Sequence, residues 1–279
     1  MRLWSVILAA ATLACGCAAT APQETGPCEI LFPYEWVGNI DRARFNEPSG
    51  IVFHAGRGTL FVVGDSGDIC EIRTDGGLVK QKRIRRGDFE GVTYDPGSGL
   101  VYIAVEGEER ILELNPDDFE VLREFTLPRT FEGHLLLKAG GQGIEGITFV
   151  PDAKHAEGGT FYVANQSFGL GIQDDISGIL EVEVPLRSGT EGHEEARILR
   201  YFCPGVIDLS GLHYDKRTGH LFVISDSTNA IFEFTTAGGL VNSWAFPGDN
   251  QEGITADEQG FMYMAQDSGG VIKVKWNRE

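Results

Sequence analysis

Apolar and polar residues alternate in short runs along most of this chain, the period of half-buried β-strands, and Gly, Asp and Asn punctuate the runs. One phrase opens a run repeatedly: an acidic or seryl residue, a glycine, a branched aliphatic residue, then strand. It stands at Ser49-Gly50-Ile51-Val52-Phe53, Glu90-Gly91-Val92-Thr93-Tyr94, Glu145-Gly146-Ile147-Thr148-Phe149, Ser210-Gly211-Leu212-His213-Tyr214 and Glu252-Gly253-Ile254-Thr255-Ala256. A second strand follows each copy, opened by an aromatic residue: Phe61-Val62-Val63-Gly64-Asp65-Ser66, Tyr102-Ile103-Ala104-Val105-Glu106-Gly107, Tyr162-Val163-Ala164-Asn165-Gln166-Ser167, Phe222-Val223-Ile224-Ser225-Asp226-Ser227 and Tyr263-Met264-Ala265-Gln266-Asp267-Ser268. Two independent phrases kept in register mark an internal repeat.

A third alternating strand is predicted at 110–115, 178–183, 230–235 and 271–276, and a fourth after turns such as Asp75-Gly76-Gly77 and Ala237-Gly238-Gly239. Units of four antiparallel strands, with repeat glycines spaced 41, 55, 65 and 42 residues apart, predict an all-β, five-bladed β-propeller. The longer spacings hold insertions at 129–142, 168–177 and 187–196. The last copy has only three strands before the chain ends, whereas a strand-like segment at 30–40 precedes the first copy. If that segment completes the last blade, the ring closes without a free edge. One propeller domain is therefore expected over residues 29–279. An open sandwich would not explain two motifs repeated in phase.

Composition narrows the function. The 279 residues are 42% hydrophobic, enough for a folded core, and 41 acidic against 23 basic residues give a formal charge of -18. With no basic run longer than 80–86, nucleic acid is excluded as the expected partner. Arg2, the apolar stretch 3–13 and the small residues up to Cys17 read as an export signal over 1–17, too short to cross a bilayer that needs roughly 20 apolar residues. A small residue precedes each of Cys15 and Cys17, the order a lipoprotein signal needs, although leucine is missing three residues upstream. Cleavage and lipidation are expected at Cys17, with Cys15 the alternative, and 18–28 reads as a polar tether. The plainer reading is a secretory signal with incidental cysteines. The expected location is the cell envelope, lipid-anchored on the periplasmic side of the outer membrane where the host has two membranes, or else periplasmic or secreted. Cys28, Cys70 and Cys203 remain after the signal; Cys28 with Cys203 is the more plausible disulfide, and Cys70 reads as a small buried hydrophobe.

In a propeller the first strand of each blade lines the axis, so the first position of the phrase gathers Ser49, Glu90, Glu145, Ser210 and Glu252 into a ring. A second tier is expected from Glu47, Asp88, Gly143, Asp208 and Asn250, and from Asp65, Glu106, Gln166, Asp226 and Asp267 where the second strand ends. Like charges held so close raise one another's pKa unless a cation neutralises them. Oxygen-only ligands point to calcium, and the six histidines are scattered without zinc spacing. The alternative is that the acids face a wet channel or bond to adjacent blades. The repeat glycines are expected to admit neighbouring backbones, and Phe61, Tyr102, Tyr162, Phe222 and Tyr263 to pack between blades. Gly64-Asp65-Ser66-Gly67 lacks the spacing of a nucleophile elbow, and no phosphate loop opens a helix.

Asp249-Asn250-Gln251-Glu252-Gly253-Ile254-Thr255, with Phe89-Glu90-Gly91-Val92 and Leu209-Ser210-Gly211-Leu212, resembles the SdiA-regulated (YjiK-like) family of bacterial exported propellers, distant relatives of NHL-repeat proteins, over residues 33–276. The resemblance implies a five-bladed propeller with a calcium site in its channel, with Glu90, Glu145 and Glu252 as its best candidate ligands. It carries no settled activity. Two classes stand: a calcium-stabilised, monomeric binding module taking a small molecule, glycan or protein at the channel mouth, or a calcium-dependent hydrolase of the lactonase, esterase or phosphoesterase kind. Hydrolysis needs a base, for which His134 and His213 are the histidines expected nearest the channel.

Overall fold

A computed structural model describes residues 28–40, 47–170, 175–190, 192–248 and 250–277; the signal, most of the tether, Cys15 and Cys17 lie outside the described residues. The described chain is all-β and forms five four-stranded blades. Blade one comprises Pro48–His54, Thr59–Gly64, Asp68–Arg73 and Leu78–Arg83. Blade two comprises Asp88–Tyr94, Val101–Glu106, Arg110–Leu114 and Val121–Thr126. Ile144–Pro151, Gly159–Asn165, Ile179–Glu183 and Arg197–Phe202 form blade three. Leu209–Asp215, His220–Ser225, Ala230–Thr235 and Leu240–Ala245 form blade four. Blade five takes Gln251–Ala256, Phe261–Gln266 and Val271–Trp276 from the end of the chain and Tyr34–Asn39 from its start. That closing strand pairs antiparallel from Tyr34 opposite Trp276 to Asn39 opposite Ile272, so the predicted closure holds.

The inner strands pack side by side in the order of blades one to five, with blade five returning to blade one. The repeat glycines allow this approach. A Cβ on Gly50 would lie 2.6 Å from the Glu90 carbonyl oxygen, and one on Gly211 would lie 2.2 Å from that of Glu252. Phe61, Tyr102, Tyr162, Phe222 and Tyr263 are buried, as the pattern predicts, and help fill the apolar layers between blades.

Two features depart from the sequence reading. The insertion between the third and fourth strands of blade three sends Gly192–Glu195 back to pair in parallel with Val121–Thr126, giving blade two a fifth strand. Cys28 does not bridge to Cys203 and is a free thiol, partly buried against the blade-four core, while Cys70 is buried within its strand as expected. Among the described residues no helix is long and apolar enough to cross a membrane.

Candidate functional site

Every inner strand breaks register at the first position of the phrase. The shifts fall between Pro48 and Gly50, Phe89 and Gly91, Ile144 and Ile147, Leu209 and Gly211, and Gln251 and Ile254. Ser49, Glu90, Glu145, Ser210 and Glu252 thus sit at β-bulges, which re-aim a side chain that regular alternation would send elsewhere. Just upstream, Glu47, Asp208 and Asn250 adopt left-handed backbone with φ of 49°, 54° and 49°, an arrangement that side-chain-bearing residues seldom take. The rim is built by strained backbone as well as by acids.

At this end of the axis Asp65, Asp88 and Glu90 each offer a carboxylate oxygen, and the three oxygens lie within 4.8 Å of one another. Asp65 comes from the end of the second strand of blade one, and Asp88 and Glu90 from the inner strand of blade two. Ser49 donates its hydroxyl to Asp65 Oδ1. Burial, then the charges of Asp65 and Asp88, hold Glu90 well above the usual carboxylate range. Burial and the charges of Glu90, Glu106 and Glu252 do the same to Glu145, which shares a hydrogen bond with Glu106. Glu252 is pushed up to about 8, first by burial and then by Asp226, Asp208, Asp267 and Asp65. The acids of separate blades therefore gather about one axis.

They do not all have the same task. Glu106 Oε1 accepts the Gly143 N–H of blade three at 2.7 Å, and Asp226 Oδ1 accepts the Gln251 N–H of blade five at 3.0 Å. Gln166 Nε2 donates to Asp208 Oδ1 at 3.3 Å, and Ser210 Oγ donates to the Gln251 carbonyl at 2.8 Å. These side chains tie blade two to three, three to four and four to five. Asp267 joins the rim through its N–H to the Asn250 carbonyl at 2.9 Å, with Asn250 itself exposed. Asp65 stands apart, because one of its oxygens lies within reach of the other two carboxylates of the cluster.

Sequence reasoning passed over Glu109. It is buried, pairs with Arg129 at 3.0 Å, accepts the Ile144 N–H at 3.1 Å, and is pushed up to about 7 by burial. Glu109 sits in a turn with counterparts in blades one and four, where Gly67 and Asn229 hold the same left-handed position and carbonyl contact, so only the carboxylate is particular to blade two and the repeat could not expose it. The two histidines expected near the channel lie elsewhere. His134 is exposed on the short hairpin strand His134–Leu135, and His213 lines a cavity at the opposite ends of the inner strands.

Comparison with solved structures agrees with this architecture. The chain is similar to a glutaminyl cyclase from Myxococcus xanthus at 12% identity, with a TM-score of 0.60 over 88% of this chain and 97% of that one. It is also similar to the β-propeller domain of Cps50 (Swd1) from Myceliophteria thermophila at 10% identity, with a TM-score of 0.51 over 88% of this chain and 100% of that one. At such identities the likeness is one of fold. A sequence profile of the SdiA-regulated family matches residues 39–268, nearly the whole ring from closing strand to last blade, and the chain belongs to that family.

Proposed function

We propose that this protein is a calcium-binding propeller of the cell envelope that acts as a binding module, and that Asp65, Asp88 and Glu90 hold the cation. The observation that carries the reading is the mutual approach of those three carboxylates within 4.8 Å. Two oxygens that each sit about 2.3–2.6 Å from one calcium ion are at most about 5 Å apart, so the set fits a shared cation. The donors are all hard oxygens, and no histidine or cysteine belongs to the cluster. A divalent charge there would offset the repulsion from Asp65 and Asp88 that, after burial, raises Glu90, and would favour the ionised form of Glu145 and Glu252 as well. Ser49 is then a positioning residue for Asp65, and Ser210, Glu106 and Asp226 hold the blades that frame the site.

Binding is preferred to hydrolysis because neither His134 nor His213 stands beside the carboxylates to serve as base. Export with a lipid on Cys17 or Cys15 would hold the propeller at the membrane by its tether, where the rim meets a small molecule, glycan or protein.

Elemental analysis of the purified chain, with thermal melts in calcium and in chelator, tests the cation. One bound calcium and a higher melting temperature with the metal are expected. Asp88→Asn and Glu90→Gln should abolish both while leaving a folded propeller. No metal and an unmoved melting temperature would refute the reading. Absence of turnover across lactone, aryl ester and phosphoester substrates in calcium agrees with a binding module; calcium-dependent turnover would overturn that part.

A further inference from the structure

The inner strands end, away from the acids, at a cavity of about 560 Å³, inside the roughly 300–1,000 Å³ range of small-molecule sites. Part of its wall comes from the position three residues past each repeat glycine. Phe53, Tyr94, Phe149 and Tyr214 supply four rings, and blade five supplies only Ala256. One ring is missing from an otherwise aromatic series. The wall is braced where the series is complete: His54 stacks on Tyr94 at 4.3 Å, and its Nε2 is hydrogen-bonded to the Gly99 carbonyl oxygen at 3.0 Å.

Charged groups at the cavity are answered within the wall. Lys216 pairs with Glu258, and Arg217 with Asp215 at 3.3 Å. Asp257 accepts the Tyr263 hydroxyl at 2.9 Å and the N–H groups of Gln259 and Phe261 at 2.8 and 2.9 Å. Among the described residues each charged side chain at the cavity thus has a partner within the wall, in contrast to the acid rim. The two ends are also separate spaces. Between them, among the repeat glycines, the axis leaves only about 10 Å³, room for one water at most.

We infer that this cavity binds a small uncharged molecule through an aromatic ring, which takes the place beside Ala256 that the fifth blade leaves open. The site is independent of the cation at the rim. An uncharged ring gains stacking on the aromatic wall, whereas a charged one would lose hydration without finding a counter-charge.

Calorimetric titration of the full chain tests this with indole as the neutral probe. Indole-3-acetate and tryptamine carry the same ring with a negative or positive charge, and methyl glucoside offers a saturated ring. Saturable indole binding is expected, weaker by more than about tenfold for both charged analogues and absent for the glucoside. Ala256→Phe supplies the missing ring from the protein and should abolish indole binding with the cooperative melt retained. Tyr214→Leu should weaken it about three- to tenfold, the value of one aromatic contact, and carries the test if Ala256→Phe does not fold. No saturable binding of indole, undiminished binding in a folded variant, or equal binding of the charged analogues or the glucoside would overturn the assignment.

Discussion

Thr93, Thr148 and Thr255 occupy the same place in three copies of the repeat, and each Oγ1 accepts a backbone N–H from the following blade: those of Phe149, Tyr214 and Phe53, all at 3.0 Å. Inner-strand N–H groups face no further strand of their own blade, and the threonine hydroxyl supplies an acceptor where a buried donor would otherwise be left unpaired. Thr148→Val keeps the shape and removes the acceptor, so urea unfolding should show a loss of about 1–3 kcal/mol, the cost of leaving a buried group unsatisfied. Gly211→Ala drives a methyl group toward the Glu252 carbonyl, a backbone atom that cannot swing aside, and should cost at least as much in the same assay. The glycines and acids of the phrase were legible because repetition places them in register. The threonines stood in the same phrases but read only as good strand formers, since a hydroxyl's partner on another blade leaves no local trace. Val52 and His213 hold that place in the other two blades, which further hides the pattern.

The strand that closes the ring does more than complete a ladder. Its approach at 30–33 runs along the last two blades: the Phe32 N–H donates to the Ala245 carbonyl at 2.8 Å, and the Pro33 carbonyl accepts the Asn277 N–H at 2.9 Å. The Phe32 ring is buried against Trp244, Phe246 and Trp276 at centroid distances of 5.3, 6.0 and 5.4 Å. Phe32→Ala should therefore cost about 3–5 kcal/mol in denaturant unfolding, as for other fully buried aromatic residues. A drop no larger than that of an exposed position such as Trp36→Ala would show that closure does not depend on this packing. Closure was legible because a blade short of one strand and a spare strand are complementary. The parallel strand Gly192–Glu195 was not, because its partner Val121–Thr126 lies in a different repeat and its sequence has no strand-like alternation. The basic run at 80–86 entered the sequence reading only as too short to bind nucleic acid; Lys80 and Lys82 donate to the carbonyls of the acidic turn around Asp117 and Asp118, tying blade one to blade two.

Gathering acids around one axis makes the stability of the ring depend on pH in a direction opposite to that of surface carboxylates. Glu252 is pushed up to about 8 and Glu109 to about 7 from an ordinary 4.5, and burial with neighbouring charge raises Glu90 and Glu145 as well. The folded chain without calcium holds these protons more tightly than the unfolded chain does. Between the ordinary value and the raised ones the unfolded state has released protons that the folded state keeps, so stability falls as pH rises through that window. In chelator, the melting temperature should be higher near pH 5 than near pH 8, a consequence of the window set by those shifts. Calcium binds the ionised carboxylates and displaces their protons, so its stabilising effect should be greatest at the alkaline end and vanish toward the acidic end. Melts across that range with and without calcium check both slopes. Glu252→Gln removes one raised ionisation that lies outside the proposed three-carboxylate cluster. It should make the chelator profile shallower while leaving calcium bound, whereas Glu90→Gln should make it shallower and lose the metal. A chelator profile that instead rises from acid to alkaline pH would mean that the ring acids are already neutralised by the fold itself, and the case for a cation at the rim would go with it.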